Sequence, residues 1–341
     1  MFCTDEKHAD EEQVRDHYDR GDDFYGWFLG PRMIYTSGLI SDIHTEETLE
    51  QLQDNKLAVV CEKIALRPRE TLLDIGCGWG TLAKYASTQY GAHATGVTLG
   101  RNQTAFGNSA MRKAGVEEGQ SRILCMDYRD IPVPAGGYQK ITCLEMAEHV
   151  GVRHFSTFLR QVHDMLDDDG VFFLQIAGLR KCWQYEDLIW GLFMNKYIFP
   201  GADASTPLGW FVDQLEGAGF EVKGVDTIGV HYSATLWRWY RNWIGNKEKV
   251  EAKYGQRWFR VIAPFPLCPF PLPFTPTAPT APSPLTPPST DMALLPRLLD
   301  HHLAPGQRNL LPDHARQEHQ LHAPRRGDPK PVRACGRVGG V

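Results

Sequence analysis

None of the eight cysteines forms a CxxC pair or stands at zinc-like spacing from a histidine. That argues against a disulfide scaffold or a metal knuckle and fits reduced, mostly buried thiols of a cytosol-facing protein. No metal is expected. An apolar run of about eighteen residues is also lacking, and the N-terminus MFCTDEKHADEEQ is charged where a signal peptide would be apolar. The chain as given therefore reads as soluble or peripheral. Charge of one sign is missing too: 36 Lys and Arg are interspersed with 41 Asp and Glu, for a net charge of -5. No basic stripe results, so no nucleic acid is expected as a partner.

What the sequence does contain is a long alternation. From Leu72 to Gly229, short β-branched or apolar runs alternate with stretches of helical period, the pattern of a doubly wound, mostly parallel α/β sheet. Strands are expected at 71–75, 94–98, 122–126, 140–144, 171–176 and 221–228. Helices are expected at 82–90, 103–114, 152–166 and 210–218, the third closed by the polar turn Asp167-Asp168-Asp169-Gly170. Upstream, 11–29 and 46–64 read as helices flanking a loop. Residues 264–288 carry proline at almost every second or third position, which no helix or central strand tolerates. The rest, 292–341, has no sustained period and reads as disordered tail. The expected organisation is a helical cap and cofactor-covering loop at 1–65, a main domain at 66–262, and a proline-rich, disordered tail at 263–341.

The chemistry starts at Asp74-Ile75-Gly76-Cys77-Gly78-Trp79-Gly80. A strand runs straight into Gly-x-Gly-x-Gly and then a helix, so the backbone can turn sharply and approach a ligand at the carboxyl edge of the sheet. The dinucleotide fingerprint places its third glycine one residue later and asks for an acid at the end of the second strand. Here that strand ends in Val97-Thr98-Leu99. A nucleotide-sized ligand other than NAD is implied.

Several separate blocks, HYDRGDDFYGWFLGPRMIYTSG, LLDIGCGWG, GVTLGRNQ, CMDYRD, EMAEHVG, KYIFPGA and GVHYSATLWRW, resemble the cyclopropane fatty acid synthase and mycolic acid methyltransferase family over residues 11–261. The resemblance is strongest to its fungal sphingolipid C9-methyltransferase branch. It implies a Rossmann-like class I fold with an N-terminal helical cap, and S-adenosyl-L-methionine as donor of a methyl group to an unactivated carbon-carbon double bond. The implied acceptor is C9 of the sphingoid base in ceramide or glucosylceramide. The implied location is an endomembrane surface such as the cytosolic face of the endoplasmic reticulum.

By the same resemblance, Tyr35 and Thr36 reach the cofactor from the cap, and Asp74, Gly76 and Gly78 form its main turn. Thr98 and Gln103 serve the ribose side, where the Gln103 amide can replace the usual acid. Asp127 and Tyr128 take the adenine edge. Glu148 and Tyr232 are the implied catalytic residues, holding a bicarbonate that acts as base. Attack by an alkene leaves a carbocation, so the site must be dry, must stabilise positive charge and must remove a proton. The sequence departs from the cyclopropane-forming pattern at Ser37, where those enzymes carry cysteine, and at Gln175, where they carry histidine. Both departures put the bicarbonate in doubt. His149 is expected to be structural.

An insertion at about 179–210, and the segment 236–243 in which indoles alternate with arginines, suit an acyl-chain tunnel opening on a membrane, or ordinary core packing. Folds of this type end in an antiparallel strand inserted between the fifth and sixth, and nothing after Arg260 supplies one. Codon degeneracy is compatible with 264–288 being a retained intron and the tail being translated out of frame. The alternatives to sphingolipid methylation are cyclopropane-fatty-acyl-phospholipid synthase-like activity, or an inactive remnant that retains some cofactor binding.

Overall fold

A computed structural model describes residues 21–117, 119–199 and 201–262. The expected start of the first helix, at 11–20, the proline-rich run and the tail lie outside the described residues. In chain order the elements are α1 (Asp22–Leu29), α2 (Leu49–Lys63), β1 (Thr71–Ile75), α3 (Thr81–Tyr90), β2 (His93–Thr98), α4 (Arg101–Lys113), β3 (Arg122–Cys125), β4 (Tyr138–Leu144), α5 (Gly151–Met165), β5 (Leu166–Gln175), α6 (Tyr185–Phe193), α7 (Leu208–Gly217), α8 (Gly229–Gly245) and α9 (Lys247–Ile262).

The strands form one parallel sheet in the order β3-β2-β1-β4-β5. Because β1 feeds β2 on one side and has β4 on the other, the strand order reverses beside β1, which is where open α/β sheets take ligands. The period-2 alternation of β1 divides its side chains between two cores. Leu73 and Ile75 pack with Ile141, Phe155, Phe158 and Leu159 on the α5 face. Leu72 packs with Leu57, Val60, Leu82 and Ala86 on the α2/α3 face. α2 starts at a capping box, with the Thr48 N–H donating to Gln51 Oε1 (2.8 Å) and the Gln51 N–H to Thr48 Oγ1 (3.2 Å).

Two expectations are corrected. β5 begins at Leu166, opposite Tyr138, but the next pair is Val171 with Lys140. The polar residues 167–170 thus bulge out of the ladder rather than preceding the strand. The sixth strand is absent among the described residues: 221–228 is irregular, and no described strand pairs with the outer edge of β5. Its physical reason is pairing, since no described strand lies between the two to supply ladder hydrogen bonds.

A third core is aromatic. Phe24, Tyr25 and Phe28 of α1 pack with Trp79 and with Leu236, Trp239 and Trp243 of α8. The spacing 236, 239, 243 puts these three on one helical face, so core packing accounts for them, whereas Trp237 is exposed. In the insertion the balance is reversed. Trp183, Tyr185, Leu188, Ile189 and Leu192 are all exposed. Among the described residues no helix is long and apolar enough to cross a membrane.

Candidate functional site

The turn after β1 is tied to β2 by two backbone bonds, from the Gly76 and Cys77 N–H groups to the Val97 carbonyl (2.9 and 3.0 Å). Gly76 sits at φ +75°, and a Cβ there would fall 2.4 Å from Met146 Cγ. Gly78, at φ +54°, has nothing within 4 Å of where a Cβ would be. One glycine is demanded by packing; the other leaves the backbone bare to a cavity of about 410 Å³. All the expected cofactor positions line that cavity: Tyr35, Thr36, Asp74, Gly76, Gly78, Thr98, Gln103, Asp127 and Tyr128.

Their polar groups are already oriented. Thr98 Oγ1 donates to Gln103 Oε1 (2.6 Å) in a buried pair, which leaves the Gln103 NH2 group to donate elsewhere. Asp127 accepts from the Arg129 N–H (2.7 Å) and, in a fork, from Arg129 Nε and Nη2 (2.7 and 2.6 Å). That fixes the carboxylate plane and fills part of its acceptor capacity. The Tyr128 ring meets Phe158 edge-on at 5.4 Å. Tyr35 stands among Tyr25, Phe28, Phe199 and Trp239, with centroids 5.5 to 5.8 Å away.

Beneath this rim lie three charged side chains, two of which the sequence reading missed. Lys56 sits mid-helix in α2, buried, with Nζ donating to Thr36 Oγ1 (2.5 Å). Burial pulls its ammonium down to about 8, against the pull of Glu145 and Asp74. Burial likewise lifts Asp74 to about 6, opposed by the Thr142 Oγ1 bond (2.9 Å) and by Lys56. Glu145 follows β4 at φ +53°, an unusual backbone for a residue with a side chain. Its Oε1 accepts from the Ser37 N–H (2.9 Å) and from Gln175 Nε2 (2.5 Å). Burial raises this carboxyl, with Ser37, Lys56 and Gln175 acting the other way. Lys56 was findable as the one cation in the stripe Leu49, Leu52, Gln53, Lys56, Leu57, Val60. Glu145 shares the EMAEH block with Glu148, and spacing alone does not rank the two.

Glu148 lies outside the cavity lining, buried, with Oε1 accepting from the Ala177 N–H (2.6 Å) and Oε2 lacking a partner among the described residues. Burial, aided by the charge of Glu145, raises it to about 8, so near pH 7 it is mainly a neutral acid. Tyr232 packs in the aromatic core, edge-on to Trp239 at 6.2 Å, and is not part of the lining either. His149 does line the cavity, and burial depresses it to about 4, so it is neutral there.

A parallel sheet with this strand order, a glycine turn after β1 and a cavity across its carboxyl edge defines the class I methyltransferase fold. Residues 5–265 match the family model described as mycolic acid cyclopropane synthetase, and the chain belongs to that family. It is 81% identical over 252 residues to sphingolipid C9-methyltransferase 2 of Gibberella zeae, covering 74% of this chain and 48% of that protein. Identity to the cyclopropane-fatty-acyl-phospholipid synthase of Escherichia coli is 32% over 248 residues, covering 73% of this chain and 60% of that one. Among solved structures, the cyclopropane synthase MmaA2 of Mycobacterium tuberculosis superposes with a TM-score of 0.69 at 27% identity, over 75% of this chain and 90% of that one. Mycolic acid cyclopropane synthase CmaA1 complexed with SAH and CTAB gives 0.69 at 26%, over the same shares. The chain spans about half the length of the sphingolipid enzymes it matches.

Proposed function

We propose that this chain is an S-adenosyl-L-methionine-dependent methyltransferase acting on a lipid alkene, with C9 of the sphingoid base of ceramide or glucosylceramide as acceptor. The observation that carries the proposal is the cavity over the glycine turn, walled by Tyr35 and floored by the carboxylates of Asp74 and Glu145, in a chain 81% identical to a sphingolipid C9-methyltransferase. The site fits the cofactor. Gly78 leaves room for close backbone approach, Gln103 has an NH2 group to give to ribose hydroxyls, and Asp127 is held in plane for an adenine amino group. When bound, S-adenosylmethionine supplies an electrophilic methyl group.

The chain's own residues have three tasks. Aromatic and apolar walls exclude the water that would capture a carbocation. The negative charge near Glu145 and Asp74 favours positive charge developing above it. Finally a proton must leave: loss from the new methyl group would close a ring, whereas loss from the methylated carbon restores the double bond. Glu148 and Tyr232 are proposed to govern that step from behind the cavity, Glu148 by holding Ala177 just past the end of β5. The insertion at about 179–210 is proposed to cover the acyl chains and meet a membrane surface.

A mass-spectrometric assay with a panel of lipid acceptors tests the reading. The expected result is a cofactor-dependent gain of one methylene mass on ceramide or glucosylceramide. Cofactor binding without any lipid product would instead identify a remnant, and product on phospholipid acyl chains alone would move the substrate class. Replacing Glu148 by Gln is expected to slow turnover at saturating cofactor; an unchanged rate would remove Glu148 from the machinery.

A further inference from the structure

The two positions at which the sequence departs from the cyclopropane-forming pattern converge on a single atom. Oε1 of Glu145 takes the hydrogen bonds of both the Ser37 N–H and Gln175 Nε2. The side chain borders the cavity, and its second oxygen, Oε2, accepts no hydrogen bond from a described residue. Bicarbonate does not fit beside this group. Two donors at those positions are already given to a carboxylate, and a second anion against Glu145 would add like-charge repulsion in a dry site. Glu145 also holds a left-handed backbone, φ +53°, which costs on the order of 1–3 kcal/mol for a residue with a Cβ and tends to persist where function needs it. A residue needed only to brace Ser37 and Gln175 would not have to face the cavity.

We propose that Glu145 is the resident general base of this site, its carboxylate standing in for a bound bicarbonate. The inference rests on the methyl-transfer reading. In the balanced step, the alkene π pair forms the bond to the incoming methyl carbon while the carbon-sulfur bond breaks with its pair on sulfur. The neighbouring carbon is left positive. Oε2 of Glu145 then takes the proton from the methylated carbon, and the C–H pair closes the double bond. The acid formed on Glu145 releases its proton to water when product leaves. Gln175 is a positioning residue that aims the carboxylate through its hydrogen bond, and the charge of Lys56 opposes the burial that raises it.

The test uses the full chain with 13C-labelled bicarbonate observed by NMR, alongside turnover. Wild type is expected to bind no bicarbonate and to turn over equally in bicarbonate-depleted buffer. Glu145→Gln should lose about 100-fold or more in turnover while keeping its affinity for S-adenosylhomocysteine within about threefold, a change of roughly 0.6 kcal/mol. Glu145→Gly, which suits the left-handed backbone and vacates the carboxylate, should bind bicarbonate and regain turnover when it is added. Bicarbonate bound to wild type, or full turnover by Glu145→Gln, would overturn the proposal. Absence of lipid product from wild type would count against the methyl-transfer reading, while the NMR arm would still decide whether a carboxylate fills the anion position.

Discussion

Gly76 and Gly78 lie two residues apart in one turn, yet the same substitution should harm them differently. Gly76→Ala drives a Cβ into Met146, so a loss of fold stability of about 1–3 kcal/mol is expected together with weakened cofactor binding. Gly78→Ala meets no described atom; it shares the left-handed strain of about 1 kcal/mol but not the clash, so it should lose less stability than Gly76→Ala and chiefly weaken binding of S-adenosylhomocysteine, read by calorimetry. Equal losses of stability in both would contradict the open approach at Gly78. Glu148 provides a pH test. Burial lifts its carboxyl from the ordinary 4.5 to about 8 in the fold, so between those values the native state holds the extra proton. Stability from this group is full below about pH 4.5 and falls as pH rises toward 8, by up to about 1.4 kcal/mol per pH unit. Glu148→Gln should therefore become more stable relative to wild type as pH climbs from 5 to 8, measured by chemical denaturation. A constant difference would mean that the carboxyl is not held neutral. The expected residues that line the cavity were legible because most lie at or just after a strand end in a recognisable block, with Tyr35 and Thr36 in the loop between α1 and α2. Glu145 was not, because only the fold shows that Ser37 and Gln175 meet at its carboxylate.

At the scale of elements, α8 separates two uses of tryptophan. Trp239 is fully buried and its truncation to Ala should cost about 3–5 kcal/mol, whereas Trp237→Ala should barely change stability. Thermal melts of the two variants check this. A helical period was readable over 236–243, but which indoles face inward depended on α1 arriving from far away in sequence. The insertion containing α6 exposes Leu188, Ile189 and Leu192 without described partners, and its proposed cover is lipid. Replacing Leu188 and Leu192 by Glu should reduce flotation with lipid vesicles at low salt while leaving the melting curve in place. Unchanged flotation would assign that face elsewhere. The strands of the sheet were readable from apolar runs, and 221–228 shows the limit of that signal. Its residues suit a strand, but a strand exists only with a partner to pair with.

For the molecule as a whole, the described residues hold the glycine turn, the cavity and the buried charges in one sheet-centred unit, in a chain whose match spans about half the length of its sphingolipid relatives. In the proposed reaction, the arrangement decides which hydrogen is lost after methyl transfer. A deuterium-labelled methyl donor reads this directly. With the CD3 form of S-adenosylmethionine and ceramide or glucosylceramide, the expected sphingolipid product retains every deuterium, because the proton comes from the methylated carbon. A product that has lost one deuterium, the mark of ring closure through the methyl group, would contradict it, as would the absence of any labelled lipid.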